Sequence, residues 1–450
     1  MRTWIRNALA IWTGDDSLAA DSIVIAGSKI EAVLAPGVVP AGPVDTEFDA
    51  SGLVITPGLV NCHHHFYQTL TRAFPAALDK ELFAWLVSLY PVWAGLQADD
   101  IAASTELALA ELMLSGCTTT TDHHYLFTDA IADAIDLQVA VAKQLGVRVI
   151  LTRGSMSVGK SDGGLPPDHV VQDAATILED SERLILKHHE AGEGALTQIA
   201  LAPCSPFSVS PQLMRDTAAL ARKHNVLLHT HLGETEDENA YCEKYFGQRP
   251  VDFLADLGWL ADDVWLAHGI HFTDDEVTRL GAAGVGISHC PHSNMLLASG
   301  VCRTRELEAA GVSIGLGVDG SASNDSSNLM QELRQAFLLQ RMHYGADKIS
   351  HHDALRWATR GGAKVLHRPD LGLIAPGQCA DLAMFDLDEL RFSGSGDPVA
   401  ALILCGAHRV RHLLIDGEWR VRNGEIPGLD LAELQFRHRK AAARLAAAQG

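Results

Sequence analysis

The sequence predicts an α/β fold: a (β/α)8, TIM-like barrel with a small β-sandwich built from both termini. Three observations predict it. The middle of the chain alternates short β-branched runs with longer helical patterns. Both ends read as short strands and turns. Residues able to do chemistry recur where apolar runs in the middle stop.

The alternation extends from about Pro57 to His367. Apolar runs at 147–150, 199–201, 226–229, 264–267, 284–287 and 312–315 are each followed by a segment of helical spacing. Strands alternating with helices imply βαβ units and a parallel sheet. About eight such repeats match a closed (β/α)8 barrel. At the ends, residues 22–27 and 30–34 flank a Gly27-Ser28-Lys29 turn, 377–386 is a turn into a strand, and 410–419 runs from strand to turn to strand. The expected division is therefore 1–56 and 368–427 for the β-sandwich, 57–367 for the barrel, and 428–450 for a C-terminal helix.

Composition narrows the function classes. The 450 residues suit a barrel plus a small module, and 47% hydrophobic residues allow a large core. A formal net charge of -21 repels nucleic acid and anionic membranes, and no basic stripe offers a phosphate-backbone footprint. Eight scattered cysteines form no CxxC pair, which argues against a zinc knuckle or a redox motif. Reduced thiols in the cytoplasm are expected. The first residues lack a signal-peptide pattern, and no uncharged apolar run is long enough for a bilayer.

In a (β/α)8 barrel, chemistry sits at the C-terminal strand ends. The first candidate strand runs into His63-His64-His65. Alternate strand residues point the same way, so His63 and His65 can share one metal while His64 faces elsewhere. The second element is His229-Thr230-His231-Leu232-Gly233-Glu234 after an apolar run. The third is His268, which alone would read as a satisfied core histidine. The fourth is Asp319, closing the run 314–318. Four such residues in chain order point to a metal-assisted site.

This order, HxH, then HxxE, then His, then Asp, resembles the amidohydrolase superfamily. Within it the chain is similar to the purine and pterin deaminases, most closely those acting on 8-oxoguanine. The resemblance covers nearly the whole chain and includes Asn61-Cys62-His63-His64-His65-Phe66-Tyr67-Gln68, Thr121-Asp122-His123-His124-Tyr125, His289-Cys290-Pro291-His292-Ser293-Asn294 and Asp319-Gly320-Ser321-Ala322-Ser323-Asn324-Asp325. It implies His63, His65, His231 and Asp319 as metal ligands, with Asp319 also accepting a proton. His231 is preferred to His229 because the family's acid lies three residues after its ligand, which makes Glu234 the acid. His268 would orient the attacking water, and His229 is assigned to packing. Two-metal relatives use a carboxylated lysine on the fourth strand. Residues 198–205 contain none, so one divalent metal is expected, zinc or alternatively iron.

Substrate clues are fewer. Gln68 resembles the family's purine-contacting glutamine, and Cys204 stands where guanine deaminases carry an arginine. Both suit 8-oxoguanine, with isoxanthopterin, guanine and hydroxylated s-triazines as rivals and a noncatalytic binding barrel as a further alternative. Phe83, Trp85, Tyr90 and Trp93 could wall a flat ring. The helical spacing of Leu82, Trp85, Leu86 and Leu89 assigns Trp85 to the core instead. The resemblance also implies a small heterocyclic substrate and a homodimer.

Three motifs are set aside. The GxGxxG at 315–320 lies late in the chain and contains Asp319, unlike a dinucleotide fingerprint. Asn324-Asp325-Ser326 fits a glycosylation sequon but reads as a cap for the helix carrying Leu329, Glu332, Leu333 and Phe337. The PCxxC of cytidine deaminases is absent.

Overall fold

The computed structural model describes residues 1–15 and 20–448; the end of the expected C-terminal helix at 449–450 and positions 16–19 of the expected sandwich lie outside the described residues. Eight parallel strands close into a barrel. In chain order they are β1 (Leu59–Asn61), β2 (Cys117–His124), β3 (Arg148–Ser155), β4 (Thr197–Pro203), β5 (Leu228–Leu232), β6 (Val264–His268), β7 (Gly286–His289) and β8 (Ser313–Leu316). β1 closes the ring by pairing with β8 and with β2.

The six apolar runs read from the sequence fall on β3 to β8. β2 escaped that reading because its residues, CTTTTDHH, include no aliphatic run, yet every one is buried. Threonine is β-branched and sits comfortably in a strand. Helices on the outside start and stop on recognisable signals. Helix Pro211–His224 begins at Ser210, whose hydroxyl accepts from Leu213 N, and ends at Asn225 with φ 53°. Helix Asp274–Ala283 opens with a Thr273/Glu276 capping box and ends at Gly284 with φ 75°.

Two sheets lie beside the barrel. One has four strands in the order Lys29–Leu34, Ser22–Ala26, Arg2–Arg6, Thr46–Asp49. The other has five, ordered Glu418–Val421, His412–Ile415, Leu382–Asp386, Leu53–Pro57, Ala10–Ile11. They share a core that includes Ile5, Ile23, Ile25, Ile55, Leu382 and Met384. Leu53–Pro57 pairs antiparallel with Leu382–Asp386, so both ends of the chain build one sheet, and it leads directly into β1. Arg148, fully buried at the start of β3, contacts Asp381 at 3.2 Å and donates to the carbonyls of Gly194 and Ala195. A buried guanidinium needs such partners, and these join the barrel to the five-stranded sheet.

Helix Leu431–Ala447 packs on helix Ala98–Leu114 and on the short turn Phe66–Thr71. All eight cysteines are free thiols. No helix among the described residues is long and apolar enough to cross a membrane. One expected cap is corrected. Helix Leu329–Tyr344 is capped by Asn328, which accepts from Gln331 N. Asn324 turns inward instead and donates to Val318 O and Glu332, because this loop must cover the end of β8.

Candidate active site

Barrel pairing of β1 stops at Asn61. Beyond it, His64–His65 pairs with Asp319–Gly320, laying the ends of β1 and β8 side by side. Asp319 N donates to His63 O at 3.0 Å. His63 and His65 then point to a common centre, while His64 turns away to Ser327 Oγ at 2.9 Å. Asp319 Oδ1 lies 3.2 Å from the Nε2 of both His63 and His65, and His231 Nε2 lies 3.3 Å from His65 Nε2. All four side chains are buried. Asp319 (φ 61°) and His268 (φ 74°) adopt left-handed backbone. For non-glycine residues such backbone costs on the order of 1–3 kcal/mol and concentrates at functional sites.

The hydrogen bonds fix how the imidazoles present themselves. His65 Nδ1 donates to His123 O at 2.6 Å, and His231 Nδ1 donates to Cys204 O at 2.7 Å. His229 Nδ1 donates to Trp265 O at 2.8 Å, which leaves its Nε2 to accept from His63 Nδ1 at 2.9 Å. All three candidate ligands thus spend Nδ1 on the protein and turn an Nε2 lone pair inward. His63 Nε2 is buried without a hydrogen-bond partner among the described residues. Burial holds His63 and His231 well below the usual histidine range, in the neutral form that coordinates metals. Inward-turned nitrogens converging on a carboxylate, each braced from behind, fit a divalent metal. β4, of sequence TQIALAP, offers no lysine to bridge a second.

Glu234 follows β5 in a tight turn at Gly233, where φ is 66° and a side chain would strike the Phe272 ring. Gly233 N donates to the buried Glu238 at 2.9 Å, which braces this turn. Burial, then the nearby Asp319, push the Glu234 carboxyl well above the ordinary range, which favours its acid form. His268 Nδ1 donates to Asn294 Oδ1 at 2.9 Å, and its Nε2 faces Glu234 at 3.5 Å and Asp319 Oδ2 at 3.9 Å. An acid, an imidazole and a carboxylate therefore surround the space above the centre.

A small cavity lies there, and Gln68, Trp85, Phe207, Tyr125 and Cys204 are among the residues lining it. Gln68 Oε1 is buried without a partner. The carboxamide fits only because position 320 is glycine: a Cβ there would lie 1.8 Å from Gln68 Oε1. The other glycines of the set-aside motif have the same use, since a Cβ on Gly315 would meet Cys62 Sγ and one on Gly317 would meet His63 Cβ.

The structure brings together every residue singled out in the sequence: His63, His65, His231, His268, Asp319, Glu234, Gln68 and Cys204. It corrects three readings. His229 is more than packing, because it holds the His63 tautomer. Trp85 belongs to the helical core face yet also lines the cavity, with Nε1 donating to Ala322 O at 3.2 Å. Tyr90 and Trp93 are fully buried in the core and do not line it. Sequence reasoning missed Tyr125, Phe207 and Asn294. Asn294 lies within the quoted 289–294 motif, which was the signal available. The carbonyls that orient His65 and His231 leave no mark in sequence, since any residue supplies one. His123 also lies near His63, His65 and His231; its Nε2 donates to Ala202 O at 2.9 Å, and its Nδ1 is buried without a hydrogen-bond partner among the described residues.

Comparison with known proteins places this geometry. A model of the amidohydrolase family matches residues 54–420. The chain is 58% identical to 8-oxoguanine deaminase of Pseudomonas aeruginosa, over 99% of both chains. It is 39% identical to hydroxydechloroatrazine ethylaminohydrolase of Pseudomonas sp. (strain ADP), over 94% of this chain and 90% of that one. Among solved structures, atrazine chlorohydrolase of Arthrobacter aurescens complexed with zinc superposes with a TM-score of 0.93 at 33% identity, covering 98% of this chain and 100% of that one.

Proposed function

The chain belongs to the amidohydrolase family, and from that premise we propose that it is a metal-dependent aminohydrolase converting 8-oxoguanine and water to urate and ammonia. The observation that carries the reading is the set of inward-turned Nε2 atoms of His63, His65 and His231 around Asp319, with the buried Glu234 beside them. In this reading those four residues hold one divalent ion, zinc by the chemistry of its donors. When bound, the metal supplies Lewis acidity that lowers the pKa of water to about 7.

The side chains do the rest. Asp319 accepts the proton of the attacking water, and His268, whose Nε2 lies 3.9 Å from Asp319 Oδ2, orients that water. Glu234 gives its proton to the ring nitrogen beside the carbon that bears the amino group. Asp319 then returns its proton to the amine, which leaves as ammonia while the new hydroxyl gives its proton back to Glu234 and becomes the carbonyl. General acid–base help of this kind contributes typically about 10²–10⁴-fold. Gln68 meets the edge of the ring with an amide that has no protein partner for Oε1, and Trp85, Tyr125 and Phe207 give the cavity its aromatic wall. The same reading carries a homodimeric, cytoplasmic enzyme without nucleic-acid or membrane partners, supported by the family resemblance and the net charge of -21.

A substrate panel tests it. 8-Oxoguanine, isoxanthopterin, guanine and a hydroxylated aminotriazine are compared at equal enzyme concentration by ammonia release. The expected result is the highest kcat/KM for 8-oxoguanine; guanine or the triazine turning over faster would overturn the substrate assignment.

A further inference from the structure

We propose that the C-terminal helix Leu431–Ala447 is a positioning element for substrate binding, acting through His438 and Arg444 on the two segments that carry Gln68 and Trp85. The proposal deepens the reading of the site above and rests on it for its kinetic test. Neither segment belongs to the barrel ladder. Gln68 lies in the turn Phe66–Thr71, whose six residues are all buried and whose start has no side-chain cap. Leu82, Trp85 and Leu86 line the cavity from helix Leu82–Trp93. Each is held at one side from the barrel, Phe66 N donating to Asp122 Oδ1 of β2 at 2.6 Å and Trp85 Nε1 to Ala322 O at 3.2 Å, and needs support at the other.

The C-terminal helix supplies it. His438 Nε2 lies 3.0 Å from Thr69 Oγ1, next to Gln68. Thr69 Oγ1 donates its own hydrogen to Phe66 O at 2.9 Å, so the His438 N–H is the donor. One turn further along the same network, Thr71 Oγ1 donates to Gln68 O at 3.1 Å and accepts from Trp93 Nε1 at 3.1 Å. This ties the turn to the end of the Trp85 helix. Arg444 holds that end as well, donating to Gly95 O at 3.1 Å, and the buried Leu445 packs over Gly95, 3.5 Å from where a Cβ would lie. The helix itself is anchored by Arg437 on Glu106 at 2.6 Å and by an Arg444–Asp100 ion pair. His438 and Arg444 bond to the turn that carries Gln68 and to the end of the Trp85 helix, and make no bond to the candidate metal ligands.

The test uses the full-length, metal-loaded protein and the variants His438→Ala and His438→Gln. Loss of one buried hydrogen bond of about 1.4 kcal/mol is expected to raise the KM for 8-oxoguanine about tenfold in His438→Ala, with kcat within about twofold of the parent. His438→Gln keeps an N–H donor and is expected to restore KM. Hydrogen exchange read by mass spectrometry is expected to speed up in His438→Ala over 66–72 and 82–95, with the barrel strands unchanged. Unchanged KM together with unchanged exchange would overturn the proposal. So would a fall in kcat at constant KM, or faster exchange spread over the whole barrel. If the parent protein releases no ammonia from 8-oxoguanine, the substrate reading fails, while the exchange pattern still decides the role of the helix.

Discussion

Glu234→Gln is expected to lower the kcat/KM for ammonia release by about 10²–10⁴ while one metal per chain is retained. The side chain sits outside the set of atoms that meets at Asp319, so its amide replacement leaves the candidate ligands untouched. What it removes is a proton. Burial, then Asp319, push the carboxyl above its ordinary range and favour its acid form, and glutamine of the same size cannot deliver a proton to the ring. The retained hydrogen bond between Gly233 and Glu238 keeps the turn in place, so the loss is chemical. Metal analysis alongside steady-state kinetics separates the two possibilities: full activity in the variant refutes the acid assignment, and loss of metal refutes its placement outside the coordination set.

Removing a ligand and removing the residue behind a ligand should differ in degree. His231→Ala deletes one of the converging nitrogens, and the expected result is a protein that retains no metal after dialysis and has no measurable turnover. His229→Ala leaves every proposed ligand in place but takes away the acceptor that holds His63 Nδ1 at 2.9 Å. The ring is then free to turn or to change tautomer. Partners of this kind are worth about 10–100-fold in metal affinity, and a competitive chelator titration measures the difference. Equal affinity in His229→Ala and the parent would return His229 to simple packing.

Much of this site could be read before any coordinates. Period-two geometry made His63 and His65 partners and sent His64 elsewhere, and the strand pairing to Asp319–Gly320 realises that. Apolar runs marked β3 to β8, whereas β2 hid behind four consecutive threonines. What sequence could not convey is the contact made by main chain. Cys204 drew notice for its side chain, yet it also orients His231 through its carbonyl. The left-handed backbone of His268 and Asp319 is likewise not fixed by sequence, since Asp and His are enriched there yet most residues of both types keep negative φ. His229 looked like packing because its role depends on a neighbour 166 positions away. The spacing of Trp85 did identify a core face, but a helix at the mouth of a barrel can bury one edge of a ring and offer the other to a ligand.

The central claim is a single-metal hydrolytic centre acting on an aminated ring, and a metal titration tests it most directly. Metal-free protein is titrated with zinc while ammonia release from 8-oxoguanine is followed. The account expects activity to rise linearly to one zinc per chain and then stay flat. A break at two per chain, or ammonia release that does not respond to metal, would contradict it.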